Sequence, residues 1–167
     1  PNGYKGYFYG EPAWADGRIG GAAELDGKTG FIQVPDNNDL DIDTGNFSIS
    51  LWFRRYDNDT PNLRLLSKGA GSDSHAGYCL FGSNTGMSAA VGNGEKRIFA
   101  YATHPALEEW THLVMSVERG ESVLLFINGV LSGSAEISEF DGQDLSSSFR
   151  FFIGQHESGS LRWHGMV

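Results

Sequence analysis

The sequence predicts an all-β fold, a two-sheet antiparallel jelly-roll sandwich, and three observations carry that prediction. Phe47, Ile49, Leu51 and Phe53 alternate with Ser48, Ser50, Trp52 and Arg54, the period of a strand with one buried face. The apolar run 123–127 is followed by Asn128-Gly129, which supplies the two positive-φ residues of a type I′ hairpin turn. The 23 glycines follow no three-residue period, which suits many tight turns between short strands.

The elements follow in order. Strands are expected at 31–34, 47–53, 64–67, 78–82, 87–91, 98–102, 113–117, 123–127, 130–135 and 149–153, the last closed by Gly154. The turns between them carry Gly69-Ala70-Gly71-Ser72-Asp73, Ser83-Asn84-Thr85-Gly86 and Gly92-Asn93-Gly94, residues suited to tight reversals. Helical periodicity is nearly absent, and one short helical turn is expected around 105–109. With neither a linker nor a repeat, 1–167 reads as a single domain.

Composition narrows the function. The net charge is −9 and the pI near 4.9, which disfavours a phosphate-backbone partner. Such a surface suits calcium and a salty medium. The single cysteine, Cys79, sits in the apolar run Tyr78-Cys79-Leu80-Phe81, where a small buried hydrophobe is expected rather than a nucleophile. No apolar run reaches the roughly 18 residues of a membrane-spanning helix. The chain opens on proline and not methionine, and is expected to be a mature or excised piece of something larger.

The landmarks, in order, are Gly17-Arg18-Ile19-Gly20-Gly21-Ala22-Ala23-Glu24-Leu25-Asp26-Gly27, Phe31-Ile32-Gln33-Val34-Pro35, Asp39-Leu40-Asp41, Phe47-Ser48-Ile49-Ser50-Leu51-Trp52-Phe53, Leu65-Leu66-Ser67-Lys68-Gly69, Trp110-Thr111-His112-Leu113-Val114, Leu125-Phe126-Ile127-Asn128-Gly129 and Phe152-Ile153-Gly154. Together they resemble the laminin-G-like, concanavalin A-like jelly-roll superfamily over nearly the whole chain. That resemblance implies a fold shared by lectins, carbohydrate-binding modules, adhesion domains and glycosidases. It also implies an extracellular or cell-surface setting. Such domains usually open with a further strand and end with a closing strand; here both are expected to be absent or cut short. The expected consequence is an open sheet edge. The chain is expected to be a truncated or processed domain; the alternative is that another chain or segment supplies the missing strands.

Three chemistries compete. Glycosidases of this superfamily carry Glu-x-Asp-x-x-Glu or a close variant on one strand, so that acid and nucleophile share a face. Glu24-Leu25-Asp26 supplies two carboxylates, but the following Gly27-Lys28-Thr29-Gly30 lacks the third, so no enzyme is expected. For calcium, Asp39-Leu40-Asp41-Ile42-Asp43 begins like an EF-hand loop, but glycine falls at Gly45 and the twelfth position is Ser50, against the loop's requirements. The resemblance implies a structural Ca2+ held by Asp26 and the Gly20 carbonyl; the alternative is that Asp26 only shapes the turn with Gly27.

The leading chemistry is sugar binding by a noncatalytic, lectin-like module, such as one appended to a polysaccharide-degrading enzyme. The alternative is a structural or adhesion domain in protein–protein contacts. The expected ligand-binding residues are His75, Tyr78, Arg97 and Tyr101, with His104, Arg150, His156, Arg162 and His164 as further polar candidates. Arg97 and Tyr101 fall on alternate positions of one expected strand, and a cation beside a ring suits an anionic glycan such as a uronate or sulfated galactan. Trp52, Trp110 and His112 are expected to be framework residues, and Trp14 and Trp163 to cover the core. Sequons stand at Asn46-Phe47-Ser48 and Asn58-Asp59-Thr60.

Overall fold

A computed structural model describes residues 3–57, 62–83 and 85–167. In chain order its strands are β1 (Tyr7–Tyr9), β2 (Ala13–Asp16), β3 (Gly21–Asp26), β4 (Phe31–Val34), β5 (Phe47–Arg55), β6 (Leu63–Gly69), β7 (Ala76–Gly82), β8 (Gly86–Asn93), β9 (Arg97–Thr103), β10 (Thr111–Glu118), β11 (Ser122–Ile127), β12 (Val130–Glu136), β13 (Phe151–Ile153) and β14 (His164–Met166). Only two single-turn 3-10 helices, Asn38–Leu40 and Ser138–Phe140, interrupt them among the described residues.

The strands form two antiparallel sheets of seven. Sheet one runs β1-β4-β13-β6-β7-β8-β9 and sheet two β12-β11-β10-β5-β14-β3-β2. Between them lies the core, where Leu80, Met87, Ala89 and Val91 of sheet one meet Leu113, Met115, Val117, Val123 and Leu125 of sheet two. The expected period-two pattern on β10 is realised, with every second residue buried. Asn128 and Gly129 both adopt positive φ, 51° and 82°, and join β11 to β12 as the type I′ pattern requires.

Residues 105–109 form no helix. Glu108 takes a φ of 58° there and its N–H bonds the Arg55 carbonyl, which turns the chain sharply instead of coiling it. Trp163 is fully buried against Phe53, as expected of a core cover, but Trp14 is 70% exposed and touches Phe8 edge-on at 5.2 Å. Trp14 sits on the edge strand of sheet two, where no layer remains to cover it.

The last described strand, β14, lies inside sheet two. β14 is hydrogen-bonded between β3 and β5 and pairs with only Arg54 and Arg55 of β5. Along 47–53, β5 is paired with β10 alone among the described strands. Phe47, Ile49 and Leu51 are accordingly only half-buried, whereas their partners Val117, Met115 and Leu113 are fully buried.

The loops of sheet one are tied down by Lys68. Its ammonium is wholly buried, 2.6 Å from Asp36 Oδ1 and 3.1 Å from Asp41 Oδ1, and it donates to the carbonyls of Ser147 at 2.7 Å and Phe149 at 2.9 Å. The acidic loop that resembles an EF-hand opening therefore already has a cation, supplied by the chain itself. A buried ammonium ringed by oxygens satisfies the rule that buried charges be paired.

Candidate functional site

Strand pairing places one set of side chains on the outer face of sheet one. Tyr7 stands opposite Gln33, Gln33 opposite Phe152, Phe152 opposite Ser67, Ser67 opposite Cys79, Cys79 opposite Ala90, and Ala90 opposite Phe99. Residues directly opposite share a face, so this row crosses the sheet on the side away from the core. On β9 the same face carries Arg97, Phe99 and Tyr101, while Ala100 and Ala102 point into the core.

A cleft of about 450 Å³ lies on this face. It is walled by Arg97, Phe99 and Tyr101 of β9, Phe81 of β7, Arg64 of β6, and His156 and Leu161 of the loop between β13 and β14. The rings form a connected series. Phe99 and Tyr101 stack at 5.8 Å and 20°, and Phe81 meets Phe99 edge-on at 6.2 Å. The Arg64 guanidinium lies over Phe81 at 4.5 Å and that of Arg97 over Phe99 at 5.0 Å, both within cation–π reach. Tyr101 is 60% exposed. Among the described residues lining the cleft there is no carboxylate, in a chain of net charge −9.

The expected ligand residues divide. Arg97 and Tyr101 both reach the cleft. Arg97 is partly committed, with Nε donating to Asp73 at 2.9 Å and Nη1 to the Gly71 carbonyl at 2.8 Å. Tyr78 does not reach it. Its side chain points into the core, 5% exposed, its hydroxyl donates to the Leu40 carbonyl, and burial pushes its pKa well above the usual phenol range. His75 stands outside the lining and supports a wall. Its Nδ1 lies 2.8 Å from Glu157 Oε1 and its ring 4.4 Å from that of Phe149, which pins the 155–162 loop to the 71–76 turn. The Glu157 carboxylate so held is 3% exposed and lies 3.5 Å from His156 Nε2. Burial pushes His156 down, opposed by the charge of Glu157.

Of the further polar candidates, His156 lines the cleft, Arg162 covers Phe31 at 4.8 Å, and His164 pairs with Asp57. Arg64, Phe81 and Phe99 went unrecognised in the sequence. Phe99 had a signal, since it sits between Arg97 and Tyr101 on the same alternation. Arg64 had none, because a register shift between Arg64 and Leu66 sets its face.

Gly20 and Asp26, the expected calcium ligands, are not brought together. Gly20 and Asp26 flank opposite ends of β3, and six residues of extended chain separate them by about 20 Å, so no single ion touches both. The Asp26 carboxylate is occupied. Oδ1 accepts the N–H groups of Lys28, Thr29 and Gly30 at 2.8–2.9 Å, and Oδ2 accepts the Thr29 hydroxyl at 2.9 Å. Desolvation works against ionisation, but these four donors outweigh it and hold the carboxyl well below the usual range. Asp26 shapes the turn. A wider depression of about 570 Å³ beside it is lined by Asp26, Lys28, Asp57, Arg162 and His164. Its acids are committed to the turn and to His164.

The first sequon also has a structural task, since Asn46 Oδ1 accepts the Arg119 N–H at 2.7 Å. Asn58-Asp59-Thr60 lies outside the described residues. No described helix is long and apolar enough to cross a membrane.

Comparison with known proteins agrees with this architecture. Residues 26–167 match the family model described as the Concanavalin A-like lectin/glucanases superfamily. No curated protein sequence matches the chain. Among solved structures, the chain is similar to the binding domain of Paraclostridial Mosquitocidal Protein 1, with a TM-score of 0.75 at 16% identity, covering 99% of this chain and 44% of that one. It is similar to the botulinum neurotoxin serotype C1 binding domain, with a TM-score of 0.72 at 13% identity, covering 90% and 37%. It is also similar to domain 4 of AbnA, a GH43 extracellular arabinanase from Geobacillus stearothermophilus solved with arabinotriose, with a TM-score of 0.72 at 23% identity, covering 96% and 78%. The chain thus spans less than half of the first two binding domains and about four-fifths of the arabinanase domain.

Proposed function

The chain belongs to the Concanavalin A-like lectin/glucanases superfamily, and we propose that within it this domain is a noncatalytic module binding a glycan in the cleft on the outer face of sheet one. The observation that carries the reading is the stacked pair of half-buried Phe99 and exposed Tyr101, flanked by Arg97 and Arg64. Flat rings offer a platform to the C–H faces of a sugar, and a few fixed polar groups orient its hydroxyls. The cationic lining favours an acidic glycan. The absent third carboxylate beyond Glu24 and Asp26, and the commitment of Asp26 to its turn, favour a noncatalytic role.

Two neighbours support the reading by what they are: an arabinanase domain seen with arabinotriose, and a toxin binding domain studied for ganglioside interaction. The arabinanase is extracellular and the other neighbour is a neurotoxin, which favours a secreted or cell-surface setting here. A glycan array with wild type and Tyr101→Ala tests the proposal. Saturable binding lost in the variant is expected; an array silent for wild type overturns it.

A second reading rests on the flank of β5. Phe47, Ile49 and Leu51 are half-buried beside a stretch of β5 backbone that no described strand pairs, which suits an extended partner segment added antiparallel to β5. That reading makes the domain an adhesion or assembly unit. Peptides alternating apolar and polar residues that protect the β5 amides from hydrogen exchange would support it; unchanged exchange would remove it.

A further inference from the structure

Arg64 is a buried cation without a counter-charge. Its residue exposure is 4%. Its Nη1 donates to the Asn62 carbonyl at 3.3 Å, its guanidinium lies over Phe81 at 4.5 Å, and its Nε has no hydrogen-bond partner. No carboxylate lies within ion-pair distance of it among the described residues. Of the near acids, Glu157 Oε1 is held by His75 and Asp73 is paired with Arg97. An aromatic face and one carbonyl leave the guanidinium without an ion-pair partner and its Nε without an acceptor. Folded proteins pair such groups, and here the side chain lines a cleft whose other described walls carry no acid.

We propose that the counter-charge arrives with the ligand: Arg64 anchors the acid group of an acidic sugar, a uronate carboxylate. This rests on the glycan reading of the same cleft and adds its substrate class. Nη1 donates to Asn62 and Nε is buried, which leaves Nη2 as the donor for the acid group. Its bond comes from a planar guanidinium held over Phe81, a directional contact that a lysine does not copy. The sugar ring then extends from Phe81 toward Phe99 and Tyr101, with Arg97 on its flank. The acid's position next to Phe81, at the deep end of the series, makes it a requirement for tight binding and leaves the exposed Tyr101 end tolerant of chain extension.

The test is calorimetric titration of the full chain with a panel of oligouronates, the same oligosaccharides with their carboxyls reduced to primary alcohols, neutral arabinan and sulfated galactan. Wild type is expected to bind an oligouronate about tenfold or more tightly than its reduced form, with an affinity that falls as salt is added. Arg64→Met is expected to erase that difference while keeping the weaker binding to the reduced form, and Arg64→Lys to restore only part of it. The oligouronate should also raise the melting temperature of wild type more than that of Arg64→Met.

Equal affinity for acid and reduced forms, or an unchanged preference in Arg64→Met, overturns the inference while leaving the glycan reading standing. Tighter binding of sulfated galactan than of any oligouronate overturns the carboxylate assignment in favour of a sulfate ester. Failure of wild type on every glycan, charged or neutral, removes both. Should Arg64→Met not fold, the acid-against-reduced comparison on wild type decides alone.

Discussion

The rings of Phe99 and Tyr101, two residues apart on β9, stack at 5.8 Å and 20°. A side chain two positions along a strand stands on the same face about two rises away, so this near-parallel pair makes one continuous platform rather than two separate rings. Its outer member is largely in water. Tyr101→Ala is therefore expected to change folding stability by no more than about 0.5 kcal/mol while weakening glycan binding about tenfold. Denaturant unfolding and titration of the same preparation check both halves.

Lys68 is expected to be the most sensitive charged position in the fold. Its ammonium joins Asp36 and Asp41 to the carbonyls of Ser147 and Phe149 in a fully buried setting. Lys68→Met leaves Asp41 and two carbonyls without their donor. The expected loss is about 3 kcal/mol or more, read as a lower urea midpoint with an unchanged slope.

Asp26 gives the turn at 26–30 a defined pH signature. Its folded pKa lies below its unfolded value of about 4. The stabilisation is therefore fully present above the unfolded pKa and declines as pH falls through the folded one. The melting-temperature gap between wild type and Asp26→Ala should be constant above about pH 5 and narrow as the pH drops below 4. A gap independent of pH down to the acid transition would contradict this. Because Gly20 and Asp26 cannot share an ion, adding or chelating calcium should not alter that gap.

Cys79 is fully buried beneath the outer face of sheet one, and burial pushes its thiol up to about 11. A thiol so protonated and enclosed is a poor nucleophile. Labelling by a thiol reagent at neutral pH should be undetectable in the native state and should follow the unfolding transition when denaturant is raised. Prompt labelling of folded protein would contradict this.

Much of the sandwich was legible because its central strands obey simple patterns. β5 and β10 alternate, and Asn128-Gly129 marks its hairpin. The N-terminal strands were not legible. β1 is three consecutive aromatics and β3 is mostly small residues, so both owe their conformation to pairing with neighbours rather than to a local period. Reading 21–26 as motif and not as strand is what brought Gly20 and Asp26 together around one ion. Tyr78 failed for a related reason. In Tyr78-Cys79-Leu80-Phe81 every residue is apolar, so the sequence does not say which alternate pair faces out; pairing sends Tyr78 inward and Phe81 outward. Arg97 and Tyr101 were found because one face of β9 is polar or aromatic while the other is small. Arg64 was hidden by a register shift, which no residue type announces.

The measurement that tests the central claim most directly is an amide chemical-shift titration of the labelled chain with its best array-selected glycan. The account predicts saturable shifts clustered at Arg64, Phe81, Arg97, Phe99 and Tyr101, with sheet two unmoved. A saturable glycan whose shifts map to the outer face of sheet two or to the β5 flank, leaving Phe99 and Tyr101 unperturbed, would contradict it.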